Sequence, residues 1–241
     1  MQFIDSHIHL QAYNIKDTPQ IISNLGDMGF VKLVCPSTSV QDWEDVKQLA
    51  DSYPQVIYPA YGLHPWYIDD DSSEWADMLY LKLISDGNAW VGECGLDRYK
   101  NPIFEMQRDV FATHIAFAKE LSRPLIVHAV KANQWLEEFW KELGSARFVI
   151  HSFSGDVGFL RRVIKFGGYI SFSPSILRSK NFDDLLVEVP INKIMLESDA
   201  PYQGKSSDIR TMIDLISKSR QMSSEELSIQ LINNFKEFAN V

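Results

Sequence analysis

The chain is expected to fold as an α/β protein, a (β/α)8 TIM barrel, on three observations. Its 241 residues suit one barrel of this type. Short runs rich in Val and Ile alternate with longer amphipathic segments from one end to the other. Residues able to bind metal recur just beyond the short runs, where a barrel places its active site. Residues 1–241 are read as a single domain, with no linker, low-complexity stretch or residue-level repeat.

The elements follow in order. Phe3-Ile4-Asp5 leads to a helical segment near 18–28, and Val31 to Cys35 to one near 41–52. Val56 to Ala60 precedes a helix near 73–85. Ala89 to Gly92 precedes the clearest helix, 103–121, where Asn101-Pro102 is a start signal. Phe104, Phe111, Ile115, Ala118 and Leu121 form its apolar stripe. Pro124 to Val127 leads to 133–143, Arg147 to Ile150 to 156–166, Gly168 to Phe172 to 181–188, and Lys193 to Leu196 to 207–219. A last helix lies near 224–238. The short runs are bounded by Gly, Pro, Ser or Asp and are too short for buried helices. A doubly wound open sheet has the same periodicity, since periodicity does not report closure.

Composition narrows the class of protein. Apolar residues make up 45% and charged residues 23%, as in ordinary globular chains. Lys and Arg number 23 against 32 Asp and Glu, a net charge of −9. Such a chain gains little from the counterion release that drives non-specific duplex binding, and an anionic membrane surface is an unfavourable partner. A cluster of bound cations could still reverse the field at one site. No apolar run approaches the roughly 20 residues that span a bilayer, and no secretory signal is visible. Cys35 and Cys94 cannot build a disulfide framework. A cytoplasmic location is expected.

Five of the six histidines fall at strand ends. His7 and His9 follow the first run, His64 follows the third, His128 ends the fifth and His151 ends the sixth. Glu93 ends the fourth and Asp199 follows the eighth. His7 and His9 stand two apart, which in extended backbone turns both imidazoles to one face. Glu93, between glycines at the end of an apolar strand, would cost several kcal/mol to bury unpaired, so a cation or strong donors must be near it. Asp199 can bind metal and accept a proton. His114 lies on the stripe of the 103–121 helix and is read as structural. Four histidines, one Glu and one Asp exceed the needs of one four-coordinate ion with an open position. They fit a two-metal hydrolase with a bridging carboxylate. Mixed nitrogen and oxygen donors suit Zn, Mn or Fe.

On these residues the sequence resembles the TatD-type metal-dependent deoxyribonucleases. The matching motifs are Asp5-Ser6-His7-Ile8-His9, Gly62-Leu63-His64-Pro65, Gly92-Glu93-Cys94-Gly95-Leu96-Asp97 and Val127-His128-Ala129. His151-Ser152-Phe153-Ser154-Gly155, Gly168 to Ser173, Glu197 to Tyr202 and Asn233-Asn234-Phe235 complete them. The resemblance implies His7, His9, Glu93 and Asp199 around one divalent ion and Glu93, His128 and His151 around a second, with Mg, Mn and Zn as the ions to compare. It implies Asp199 as general base, His64 facing the scissile phosphate, and hydrolysis of DNA phosphodiesters, exonucleolytically on single strands.

The chain departs from the family pattern at four places. Trp66 stands where a second His is usual, Val130 where an Arg is usual, and Ser173-Pro174 where Ser-Gly is usual. The basic loop after the last strand is reduced to Gln203-Gly204-Lys205-Ser206. Arg98, Lys100, Lys131, Arg178 and Lys180 are the substitute cations on the mouth side, and Trp66, Tyr99, Phe153 and Tyr202 the candidate stacking faces. Two other enzyme readings share the opening His-x-His: an amidohydrolase or lactonase acting on a small ester or amide, and a histidinol-phosphatase type of phosphoesterase, which closes with Asp-x-His. A non-catalytic metal-binding scaffold is the reading from another class.

Overall fold

The computed structural model describes residues 1–68, 74–99 and 104–241. Its eight strands are β1 Phe3–Asp5, β2 Phe30–Pro36, β3 Ile57–Tyr61, β4 Trp90–Asp97, β5 Leu125–Val130, β6 Phe148–Ile150, β7 Tyr169–Phe172 and β8 Ile194–Leu196. They form one parallel sheet in chain order. The ring closes just beyond the ends of β1 and β8. There Ser6 N–H donates to the Leu196 carbonyl, Asp199 N–H to His7 and His9 N–H to Ala200, at 2.9–3.0 Å. The buried Asp5 carboxylate locks this seam by accepting from Ser198 N–H and the Ser206 hydroxyl. The expected barrel is therefore formed.

The helices are α1 Thr18–Asp27, α2 Trp43–Ser52, α3 Trp75–Ser85, α4 Phe104–Glu120, α5 Trp140–Leu143, α6 Val157–Lys165, α7 Phe182–Glu188, α8 Asp208–Ser219 and α9 Ser224–Ala239. Their ends are set by local chemistry. Asp156 caps α6 by accepting from Phe159 N–H, and Ser223 with Glu226 forms a reciprocal capping box on α9. On α4, Phe111, Ile115 and Ala118 are buried as the stripe requires, while the start signal Asn101-Pro102 lies outside the described residues. So do Lys100 and the first residue of the expected 73–85 helix.

Two expected elements differ. The 133–143 segment is a 3-10 turn, Trp135–Phe139, followed by the single turn of α5. Leu136 and Phe139, three apart, are eclipsed in that tighter winding, so both turn inward. β4 does not stop at Gly92 but runs on to Asp97, buried throughout. Gly92 and Gly95 have φ of +133° and +143°, and a Cβ on Gly95 would collide with the His128 carbonyl. The glycines thus let β4 approach β5 closely instead of ending the strand. Glu93 and His128 consequently lie within their strands, not at the ends.

Strand alternation builds the interior in two layers. The lower layer is apolar and takes a residue from every strand: Ile4, Val34, Tyr58, Ala60, Trp90, Ile126, Val149, Tyr169 and Met195. Phe235 and Phe238 of α9 close its floor against Trp90, Tyr58 and Tyr169 at ring separations of 5.0–5.5 Å. Asn234 fastens α9 there by donating to the Ile191 and Ile194 carbonyls. Two residues further along, the same faces become polar: Ile126 gives way to His128, Val149 to His151, Tyr169 to Ser171 and Met195 to Glu197. No helix among the described residues is long and apolar enough to cross a membrane.

Candidate metal centre

The polar layer converges on Glu93, which is 2% exposed. Its two oxygens face two different sets of imidazoles. Oε2 lies 3.1 Å from His7 Nε2 and 3.6 Å from His9 Nε2. Oε1 lies 2.8 Å from His151 Nε2, 3.0 Å from His128 Nδ1 and 3.2 Å from His64 Nε2. Asp199 Oδ1 completes the first set, 3.4 Å from His9 Nε2 and 4.0 Å from His7 Nε2. The His7 and His9 Nε2 atoms are 3.1 Å apart, so the two-residue spacing does bring both rings to one point. Asp199 reaches it from the other side of the barrel seam, in a left-handed backbone conformation (φ +50°) that aspartate tolerates.

The far side of most rings is anchored. His9 Nδ1 meets the Pro36 carbonyl at 3.1 Å, His128 Nε2 meets Asp97 Oδ2 at 3.1 Å, and His151 Nδ1 meets Glu197 Oε1 at 3.3 Å. Each anchor leaves the other nitrogen turned inward, as in carboxylate–histidine–metal arrangements. Neither Asp97 nor Glu197 stood out in the sequence as a site residue. Asp97 lies four residues beyond Glu93 along β4 and Glu197 two residues before Asp199, so strand alternation was the available signal. Trp66 has a definite place too. Its indole N–H donates to Asp97 Oδ2 at 2.7 Å and its backbone N–H to His64 Nδ1 at 3.1 Å.

The donor set suits divalent cations. Ligand atoms each about 2.1 Å from a shared ion stand roughly 3–3.5 Å apart, and the separations within the two sets, 2.8–4.0 Å, bracket that spacing. Inward-facing imidazole nitrogens with nothing but one another and a carboxylate to meet need protons or a cation between them. His7, His9 and Asp199 form one compact group, and Glu93 forms others with His7 and His151 and with His64 and His128. Burial raises the Glu93 carboxyl, but the rings of His151, His64 and His7 outweigh it and hold the group well below the usual carboxylate range. Asp199 is likewise lowered, by His9 and His7 against burial. Burial lowers His151, yet Glu93 and Glu197 hold it well above the ordinary value. His64, desolvated, falls to about 4. It is neutral at pH 7 and, because Nδ1 accepts from Trp66, carries its proton on Nε2.

The cluster floors a cleft of about 480 Å3, whose lining includes His9, His64, Glu93, His128, His151 and Asp199. Trp66, Tyr67, Tyr99 and Tyr202 form an exposed aromatic rim. The proposed cations do not join them. Arg98 and Lys131 line a neighbouring cleft, and Arg178, at the end of a 3-10 turn after β7, is exposed and lines neither. Phe153 is buried and stacked on Phe159, so it is a core residue and not a stacking face for substrate. His114 is structural as expected: Nδ1 meets the Val110 carbonyl at 2.7 Å and Nε2 accepts Leu63 N–H at 3.0 Å.

Comparison with known proteins places the barrel in a family. Residues 4–240 match the family model described as TatD related DNase. Human deoxyribonuclease TATDN3 is 28% identical over 86% of this chain and 81% of its own length. The 3'-5' ssDNA/RNA exonuclease TatD of Pectobacterium atrosepticum is 29% identical over 78% of this chain and 74% of its own. Escherichia coli YjjV, an uncharacterized metal-dependent hydrolase, is 27% identical over 100% of this chain and 98% of its own. Its crystal structure superposes with a TM-score of 0.91, covering 99% of this chain and 98% of that one. The chain belongs to the TatD related DNase family and is a metal-dependent hydrolase of ester bonds.

Proposed function

We propose that the chain hydrolyses phosphodiester bonds of single-stranded DNA from an end, at a centre of two divalent ions. The observation that carries this is the division of Glu93: one oxygen toward His7 and His9, the other toward His128 and His151. His7, His9, Glu93 and Asp199 would hold one ion, and Glu93, His128 and His151 the other. When bound, such ions neutralise phosphate charge and make water acidic enough to attack near neutral pH.

The chain's own groups supply the rest. Asp199, kept ionised by His9 and His7, takes the proton of the attacking water. Its orientation is set by Gln203, whose amide donates to Oδ2 while its own oxygen accepts from the Ser152 and Ser173 hydroxyls. Neutral His64 offers its Nε2–H to charge developing on the phosphate oxygen. Asp97 and Glu197 keep the His128 and His151 rings in place. We place the protein in the cytoplasm, where the free thiols of Cys35 and Cys94 stay reduced.

The test is hydrolysis of an end-labelled single-stranded DNA by protein stripped of metal and reloaded with Mg, Mn or Zn, beside Asp199→Asn. Stepwise shortening that needs metal and is lost in the variant is expected. Folded, metal-loaded protein that leaves the strand intact would refute the nuclease reading in favour of a small ester or amide on the same barrel.

A further inference from the structure

The metal-side cleft has an uneven character for a site that takes a polyanion. Among the described residues its lining includes no Lys or Arg. A single strand nevertheless carries a phosphate at every nucleotide, and those beyond the scissile one must be met elsewhere.

Two cations stand beside it in register. Asp97 of β4 pairs with Val130 of β5, and Arg98 N–H donates to the Val130 carbonyl at 3.1 Å. Arg98 and Lys131 therefore leave neighbouring strand ends side by side, where like charges repel unless an anion lies between them. Both are exposed, and among the described residues neither side chain has an ion pair or hydrogen-bond partner. Lys131 is also held at φ +53°, a conformation that residues with a Cβ adopt rarely and that recurs at functional sites.

The two residues open onto a cleft of about 410 Å3, lined further by Asn133, Gln134, Asn181 and Asp156. Asp156, the one carboxylate among the described lining residues, caps α6 by accepting Phe159 N–H on Oδ1. Val130 lines both clefts, so they are contiguous.

We propose that this second cleft is a phosphate subsite, in which Arg98 and Lys131, aided by the amides of Asn133, Gln134 and Asn181, bind a backbone phosphate next to the scissile one. The inference rests on the nuclease reading for its ligand. A guanidinium presents paired N–H donors to phosphate oxygens, and Lys131 adds a mobile point charge.

The experiment measures binding of a fluorescent, phosphorothioate-linked oligothymidylate to the metal-loaded protein across a salt series. The wild type is compared with Arg98→Ala/Lys131→Ala and with the charge-keeping Arg98→Lys/Lys131→Arg. Loss of the one phosphate that the pair neutralises should flatten the slope of log affinity against log salt by about 0.7 on a single strand. The alanine pair should also lose at least tenfold in affinity at low salt, and the charge-keeping pair should retain most of the slope. Hydrolysis of bis(p-nitrophenyl) phosphate, which has a single phosphate, should be unchanged in both variants. An unaltered slope, no binding by the wild type, or an equal loss on the single-phosphate ester would overturn the subsite. Wild-type protein that binds the strand with the expected slope change but cleaves no phosphodiester would leave the subsite standing and refute the hydrolytic reading.

Discussion

Replacing His114 by glutamine should change how the stability of the fold depends on pH. The imidazole is fully buried beneath the loop that carries His64. Its Nδ1–H goes to the Val110 carbonyl, Nε2 accepts the Leu63 amide, and its face stacks on Trp75 at 5.1 Å. Burial pushes its pKa from 6.5 down to about 4. Between these values the unfolded chain binds a proton that the native state refuses. Stability present above pH 6.5 is therefore lost as pH falls toward 4. The loss from this one group is about 2 kcal/mol between pH 7 and pH 5 and about 3 kcal/mol by pH 4. The variant should start about 1 kcal/mol less stable at pH 7, for the hydrogen bond it weakens. From pH 7 to pH 5 it should then lose about 2 kcal/mol less than the wild type. Urea unfolding of both proteins at pH 7, 6 and 5, with m-values matched, reads the difference. Parallel pH dependences would show that His114 is not held neutral, and the account of the His64 loop would fall with it.

Three further outcomes are expected. His128→Ala/His151→Ala should halve the bound metal found by elemental analysis and abolish hydrolysis while far-ultraviolet circular dichroism stays native; full activity would sink the two-ion mechanism. Asp97→Asn, which weakens the anchor on His128, should reduce metal affinity on that side by about 10–100-fold, measured by chelator competition, with little change at the other ion. Phe238→Ala opens the barrel floor beneath Trp90 and Tyr169 and should cost about 3–5 kcal/mol in denaturant unfolding; a loss under about 1 kcal/mol would mean that α9 is not part of the core.

Much of the fold was legible because its signals are local. Period-2 runs and 3.6-period stripes are complete within a few residues, so eight strands and most helices could be placed from the chain itself. Where β4 continues past Gly92 the local signal misleads. Glycine there serves the close approach of Ile126 and His128, residues more than thirty positions away. The same limit applies to the 3-10 turn at Trp135–Phe139, whose winding follows from which side chains the barrel wall needs inward.

The sequence alone determined the barrel class, the identities of the six residues that crowd Glu93 or face it across the centre, and the structural part of His114. Only the tertiary structure decided how they divide. Which Glu93 oxygen faces which rings, and the anchoring of His128 by Asp97 and of His151 by Glu197, depend on neighbouring strands. The reach of Asp199 to His7 and His9 depends on closure between β8 and β1, across nearly the whole chain. The same closure and register put Arg98 and Lys131 in a cleft of their own and Phe153 in the core. Those placements are set by pairings between distant segments, whose free energy no short stretch of sequence carries.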